Sequence, residues 1–503
     1  IKMDYGTRIA MQRARAKAKR NANASDAPVT KKKRKQAKAP DYEIYPLDRL
    51  EQDDAFMNSL SGNFDWGGST NDNAEALVDR FNEGESRMQL LKMPTGYGKT
   101  STAVAALGKM QEDFMREIPF VVLANPAIIK SNSWQKTIAE WNFSHPNNRL
   151  RPAVIETYTR FSNILHDPKG LKEFVSLVGN ECVIVIDEVH NYKNPTSKRA
   201  KMLQKVSSFK KIGLSATPLT NNHVLDGASY LIMGGFYANK SRFMVETGLD
   251  KRLDQNFGLA IYDPDTRRVD EGIWPAYSDF KDKLSKVIFS PDVEAVDADM
   301  PNVTSRLIQI ESSEELHYDI LSLGKAYRAR MFDTATEFMN AVSDRVFTDE
   351  NRLDVLDSIL DDPEVKQPLI FYQHNAVRDA IAERIEARGS SYQELSGHTS
   401  VDNIDHDSDE PILIQYQAGA AGIEFKNSNT SVFYENQYSY INFTQAQGRN
   451  VRRGMTNHVK HYFIVVDELY DSEIFNRVKA HEEVSSEVLE DLALRSADTS
   501  RLD

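Results

Sequence analysis

Lys99 and Thr100 follow two glycines, Gly96 and Gly98, in the stretch KMPTGYGKTSTAVAAL at 92–107, where an apolar run gives way to an alanine-rich one. This spacing suits the phosphates of a nucleoside triphosphate. Backbone N–H groups must converge on those phosphates, and glycines keep the turn clear of side chains. Lys99 then sets a cation against the β and γ phosphates and Thr100 offers its hydroxyl to Mg²⁺ at the helix start, with Thr95, Tyr97 and Ser101 completing the loop. Met93 stands where the strict pattern has Gly or Ala, so the loop meets the motif in its relaxed form. In a second pattern, ECVIVIDEVHNYKN (181–194), an apolar run ends in two consecutive carboxylates, Asp187 and Glu188, the first of them 88 residues after Lys99. Beside a phosphate loop, one carboxylate can hold Mg²⁺ through its water shell and the other can orient or deprotonate an attacking water. Asp187 is assigned to the metal and Glu188 to the water.

Such residues need rigid elements to hold them. MQLLKM (88–93), FVVLAN (120–125), CVIVID (182–187) and KIGLSA (211–216) are short, continuous apolar runs bounded by turn residues, and amphipathic stretches separate them. Continuous apolar strands between helices predict a parallel sheet covered on both faces. Asp187 and Glu188 then fall at its carboxyl edge, where open α/β sheets bind ligands. The same grammar returns in PLIFYQ (368–373), PILIQYQ (411–417), TSVFYEN (430–436) and HYFIVVD (461–467), which makes two α/β domains. The expected divisions are a basic flexible arm at 1–40, a first lobe at 41–226, an insertion or protrusion at 227–300, a second lobe at 301–480, and an acidic closing helix and tail at 481–503.

Composition bounds the rest. In 503 residues, 62 Lys plus Arg against 74 Asp plus Glu give −12, yet the first 40 residues carry +11 and the remainder −23. The run TKKKRKQ (30–36) reads as a phosphate-binding tail, an import signal or a solvated terminus. One cysteine, Cys182, excludes internal disulfides and cysteine-based metal clusters and fits a reducing compartment. His458 and His461 lack a Cys partner and are expected to be surface residues flanking a strand. No apolar run approaches the roughly 20 residues that span a bilayer, so no membrane role is expected.

In order, PTGYGKT, DEVH (187–190) and LSATP (214–218) resemble motifs I, II and III of superfamily 2 helicases of the DEAH/DEXH type. ANPAIIKSNSWQKTIAEW (124–141) resembles the Swi/Snf-type motif Ia, and VIETYTRFSN (154–163) the block that follows it. PLIFYQHNAVRDAIAERIEARG (368–389), QYQAGAAGIEF (415–425) and QAQGRNVRRG (445–454) resemble motifs IV, V and VI, so the resemblance runs from about 88 to 470. Its flavour is that of compact Swi/Snf-like helicases encoded by bacteriophages, which would make phage replication the setting.

The resemblance implies two RecA-like lobes, ATP and Mg²⁺ as cofactors, and a motor that acts as a monomer on duplex or forked DNA, with replication or recombination proteins as further partners. It implies contacts to nucleotide from Gly422 and Glu424. Gln445 and His190 would report nucleotide state, and Ser215 and Thr217 would link hydrolysis to the nucleic acid. Arg449 and Arg452, three apart, are expected along one side of a helix, where guanidinium groups neutralise charge developing on the γ-phosphoryl. Lys130, Trp134, Asn221 and Asn222 lie in segments that line the track in related motors. Motif V carries Glu424 where the family commonly has Asn or Asp, and motif III reads Ser-Ala-Thr, the general helicase form. The expected activity is that of a nucleic-acid-dependent ATPase, a helicase or translocase in replication, recombination or repair. A nucleotide-switched DNA-binding scaffold, the motor subunit of a restriction or repair assembly, and an RNA helicase remain as alternatives. The compartment expected is the cytoplasm, that of the bacterial host for a phage protein, or the nucleus if the basic run is an import signal.

Overall fold

The computed structural model describes residues 51–497 apart from 220–223, 248–273, 292–299, 417–424, 481–485 and a few shorter stretches. The basic arm therefore lies outside the described residues. The chain divides into two compact units, one built up to Met300 and joined by 452–455, the other from Pro301 onward.

The first unit holds six strands: β1 (Met88–Lys92), β2 (Phe120–Ala124), β3 (Pro152–Thr157), β4 (Val183–Ile186), β5 (Lys210–Ser215) and β6 (Ile288–Phe289). They lie in the order β3-β2-β4-β5-β1-β6, and every pairing is parallel. The continuous apolar runs are explained by helices on both faces. Along β2, Phe120, Val122 and Ala124 enter one core while Val121 and Leu123 enter the other, because alternate side chains of a strand point to opposite faces. The helix Lys99–Phe114 lies over the first of these cores against the helix Ser133–Ser144. Gly108 permits that approach, since a Cβ there would sit 2.1 Å from the indole of Trp141.

The segment expected as an insertion is different in the structure. The helices Val224–Gly234 and Trp274–Val287 bring Tyr230, Leu231, Phe280, Leu284 and Val287 into the same core as Met88 and Leu90 of β1. Ile288 and Phe289 then pair with Leu90 and Leu91. These residues close the first sheet, so the first unit runs well past 226.

The second unit also has six strands: β7 (Val303–Ile310), β8 (Leu369–Tyr372), β9 (Gln393–Leu395), β10 (Ile412–Gln415), β11 (Thr430–Phe433) and β12 (Val459–Val466). Their order is β7-β12-β11-β8-β10-β9, again all parallel. Arg352 is fully buried beneath the carboxyl ends of β11 and β12. It donates to Asp471 Oδ2 at 3.0 Å and to the Tyr434 carbonyl at 3.1 Å, and stacks over Phe347. The closing helix Ser486–Ser496 is part of this unit, because Leu492, Ala493 and Ala497 belong to its core. His461, expected at the surface, is instead buried within β12. Among the described residues, no helix is long and apolar enough to cross a membrane.

Candidate active site

The strand β1 delivers the chain into the turn at 93–98, where Gly96 and Gly98 take φ of +90° and +83°. Both values lie in the left-handed region that glycine adopts without penalty. The helix Lys99–Phe114 starts immediately after, so Thr100 and Ser101 sit in its first turn. Lys99 Nζ donates to the Met93 and Pro94 carbonyls, each at 3.0 Å, which folds the cation back over its own loop. Burial lowers the Lys99 ammonium from its ordinary value, and the carboxylates of Glu188 and Asp187 oppose that shift. Thr95, Tyr97 and Thr100 are half-buried around the loop.

Asp187 and Glu188 follow β4, two strands from β1 in the sheet. Asp187 is buried and held from several sides. Its Oδ1 accepts from the Glu188 N–H at 3.0 Å, its Oδ2 from Trp134 Nε1 at 3.1 Å, and its carbonyl from the Tyr158 hydroxyl at 2.6 Å. Burial and the adjacent Glu188 charge push its carboxyl up to about 6, while the indole N–H and Lys99 pull the other way. Glu188 adopts φ +46° and ψ +56°, left-handed for a residue with a Cβ, and starts the 3₁₀ turn Val189–Tyr192. The turn places His190 Nδ1 3.2 Å from Glu188 Oε2 and 3.2 Å from Ser215 Oγ, and that hydroxyl accepts from the Thr217 N–H at 3.1 Å. Glu188, His190, Ser215 and Thr217 thus form one connected chain from the end of β4 to the end of β5.

The donor set fits Mg²⁺. Among the described residues no three His, Cys, Asp or Glu side chains converge as a metal cage, whereas Mg²⁺ beside phosphates needs only one or two protein groups and keeps its waters. Each oxygen of Asp187 has one protein donor and so retains a lone pair for such a water.

Trp134 requires a correction. It is 1% exposed and its N–H is engaged by Asp187, so it cannot line a nucleic-acid track. Sequence reasoning missed this, although Trp134, Ile138 and Trp141 at helical spacing are all buried and mark the inward face. Lys130 is exposed at the end of the short helix Pro126–Lys130. Asn221 and Asn222 lie outside the described residues.

In the second unit, Gln445 is buried on the helix Tyr440–Gln447. Gly448 ends that helix, so Arg449 and Arg452 follow it in irregular chain and do not share a helix face as expected. Asn450, fully buried between them, supplies the order a helix would have given. Its Oδ1 accepts from Ser431 Oγ at 3.0 Å and lies 3.3 Å from His461 Nε2, and its Nδ2 donates to Ser428 Oγ at 3.3 Å. Burial holds His461 neutral, down to about 4, which suits a ring N–H shared with that amide oxygen. At the end of β8, the buried carboxylate of Glu435 accepts from the Gln373 and His374 N–H groups at 2.6 and 2.9 Å and from His374 Nδ1. Gly422 and Glu424 lie outside the described residues.

A phosphate loop opening one parallel sheet, with a strand-end carboxylate pair at the same edge and a second parallel-sheet unit after it, defines the class of two-lobed P-loop NTPase folds. Residues 70–220 match the family described as type III restriction enzyme, res subunit (ResIII). The chain is 23% identical over 435 residues to Protein CHROMATIN REMODELING 5 of Arabidopsis thaliana, covering 76% of this chain and 25% of that protein. It is 23% identical over 433 residues to the ISWI chromatin-remodeling complex ATPase ISW1 of Saccharomyces cerevisiae, covering 76% of this chain and 37% of the relative. Thus the chain spans about a quarter and about a third of the lengths of these relatives. A solved Sulfolobus solfataricus SWI2/SNF2 ATPase core in complex with dsDNA aligns with 85% of this chain and 96% of its own, at 16% identity and a TM-score of 0.36. With the motif order, the family and sequence matches support a likeness to superfamily 2 proteins of the Swi/Snf-like type.

Proposed function

We propose that the protein is a DNA-dependent ATPase that hydrolyses ATP with Mg²⁺ to translocate along duplex DNA, in replication, recombination or repair. The observation that carries this reading is the single connected site of the first unit. Lys99 and the glycine turn can bind the phosphates, Asp187 and Thr100 can hold the metal, and Glu188 leads through His190 to Ser215 and Thr217 at the next strand end. Bound Mg²⁺ would neutralise phosphate charge. Glu188 would orient and deprotonate the attacking water, with His190 beside its carboxylate to sense the change. The likeness to a chromatin-remodelling protein and to the ATPase of a chromatin-remodelling complex supports a coupling of hydrolysis to work on chromatin.

The acidic body is no obstacle, because track contacts to a DNA backbone need only local amides, hydroxyls and a few basic side chains. The +11 arm would add salt-sensitive affinity. The deciding experiment measures ATP hydrolysis with no nucleic acid, single-stranded DNA, duplex DNA and RNA, beside triplex- and strand-displacement assays. Stimulation by duplex with triplex displacement is expected. Absence of stimulation by any nucleic acid, with Lys99→Ala equal to wild type, would overturn the motor reading in favour of a switched scaffold.

A further inference from the structure

Asp187 and Trp134 are 53 residues apart in sequence, yet the indole N–H meets the carboxylate at 3.1 Å inside the core. A buried indole needs some acceptor; here the acceptor is the one carboxylate assigned to the metal. The terminal torsion of an Asp side chain is broad. Donors on both oxygens, Trp134 Nε1 on Oδ2 and the Glu188 N–H on Oδ1, fix it. The remaining lone pairs then point in set directions before any cation arrives.

Trp134 also has a particular position along the chain. It is the second residue of the helix Ser133–Ser144, and the residue before that helix, Asn132, is left-handed at φ +52°. Asn125 caps the preceding short helix, its side chain accepting from the Ile128 N–H at 2.9 Å. The exposed Lys130 and half-buried Ser131, Asn132 and Ser133 are therefore joined to Trp134 by a compact link, in which Ser131 Oγ donates to the Ile128 carbonyl at 2.9 Å. A shift of about 1 Å at this helix start would take the indole hydrogen bond beyond bonding distance.

We infer that Trp134 is a positioning residue for the metal site, whose indole N–H sets the Asp187 carboxylate and transmits movement of the surface segment 130–133 to it. The inference rests on the ATPase reading above and adds a physical connection between surface and metal.

The test uses the full chain with Trp134→Phe, and with Trp134 replaced by the benzothiophene analogue of tryptophan, which keeps the bicyclic shape and lacks the N–H. Mn²⁺ binding to the ADP complex is followed by electron paramagnetic resonance, ADP binding is measured in EDTA, and duplex stimulation of hydrolysis is recorded. Loss of an outer hydrogen-bond partner typically weakens metal affinity about 10-fold or more. Both replacements are expected to weaken Mn²⁺ by about that factor, leave metal-free ADP binding within about twofold, and reduce the ratio of stimulated to basal hydrolysis. Wild-type Mn²⁺ affinity in the benzothiophene protein would overturn the positioning role, whatever Trp134→Phe does. Weakened Mn²⁺ with unaltered duplex stimulation would overturn the link to 130–133. A wild-type protein that binds Mn²⁺·ADP but is stimulated by no nucleic acid would instead count against the motor reading, and the Mn²⁺ comparison would still decide whether Trp134 positions Asp187.

Discussion

Glu188 sits in a left-handed backbone conformation that costs an ordinary residue about 1–2 kcal/mol. Its neighbours hold it there, with Asp187 pinned by three partners and the 3₁₀ turn carrying His190 back to Glu188. Lys99 and Glu188 are therefore expected to fail differently. Lys99→Ala should lose both nucleotide affinity and hydrolysis. Glu188→Gln should keep affinity while hydrolysis falls roughly 100- to 1,000-fold, as when one group acting on the transition state is removed. Fluorescent-nucleotide binding beside steady-state ATPase assays separates the two; equal loss of affinity would remove Glu188 from the water-activating role. The sequence made these residues legible because their chemistry and their strand context coincide. It misplaced Trp134, which the resemblance puts in a segment that lines the track in related motors, because a segment's likeness does not say which of its faces turns inward; Trp134 and its neighbour Gln135 are both buried.

At the scale of elements, the inner strands could be read because each is one uninterrupted apolar run. β6, with two residues, and β9, with three, are too short to show any period. The three-residue spacing of Arg449 and Arg452 suggests a helix, but Gly448 ends the helix Tyr440–Gln447 before them and Asn450 anchors the loop instead. Asn450→Ala would leave Ser431 and His461 short of a buried partner, a loss of about 1–3 kcal/mol. Chemical denaturation should show that decrease, and the turnover number should drop more than the KM for ATP rises. An unchanged turnover number would mean that Asn450 serves stability alone.

For the whole molecule, Lys211 sets an expected pH dependence. It is fully buried in β5, with Nζ donating to the Phe209 carbonyl at 2.8 Å, and burial pushes its ammonium down to about 7, Arg87 adding to the effect. Between that value and the ordinary lysine range the unfolded chain binds a proton that the folded chain does not. Stability therefore rises with pH across this window, by up to about 1.4 kcal/mol per pH unit. Lys211→Met should flatten the slope and be the more stable protein near pH 7, with the difference shrinking towards pH 10. Parallel slopes in urea melts would show that Lys211 is not the titrating group.

The first unit also fixes where the chain can be cut. A fragment of residues 41–226 lacks β6 and the helix Trp274–Val287, which cover Met88 and Leu90, whereas 41–300 contains them. The longer fragment is expected to be soluble with a cooperative melt and the shorter one to aggregate; the reverse outcome would return 227–300 to the status of an insertion.

The pairing of Leu90 and Leu91 with Ile288 and Phe289 joins residues 198 positions apart. At about 5–20 residues per second of synthesis, roughly 10 to 40 seconds separate the emergence of β1 from that of its edge partner. Through that interval the phosphate loop is already made but one flank of its strand has nothing to pair with. An unpaired strand edge is prone to aggregate, and a slower ribosome would lengthen its exposure.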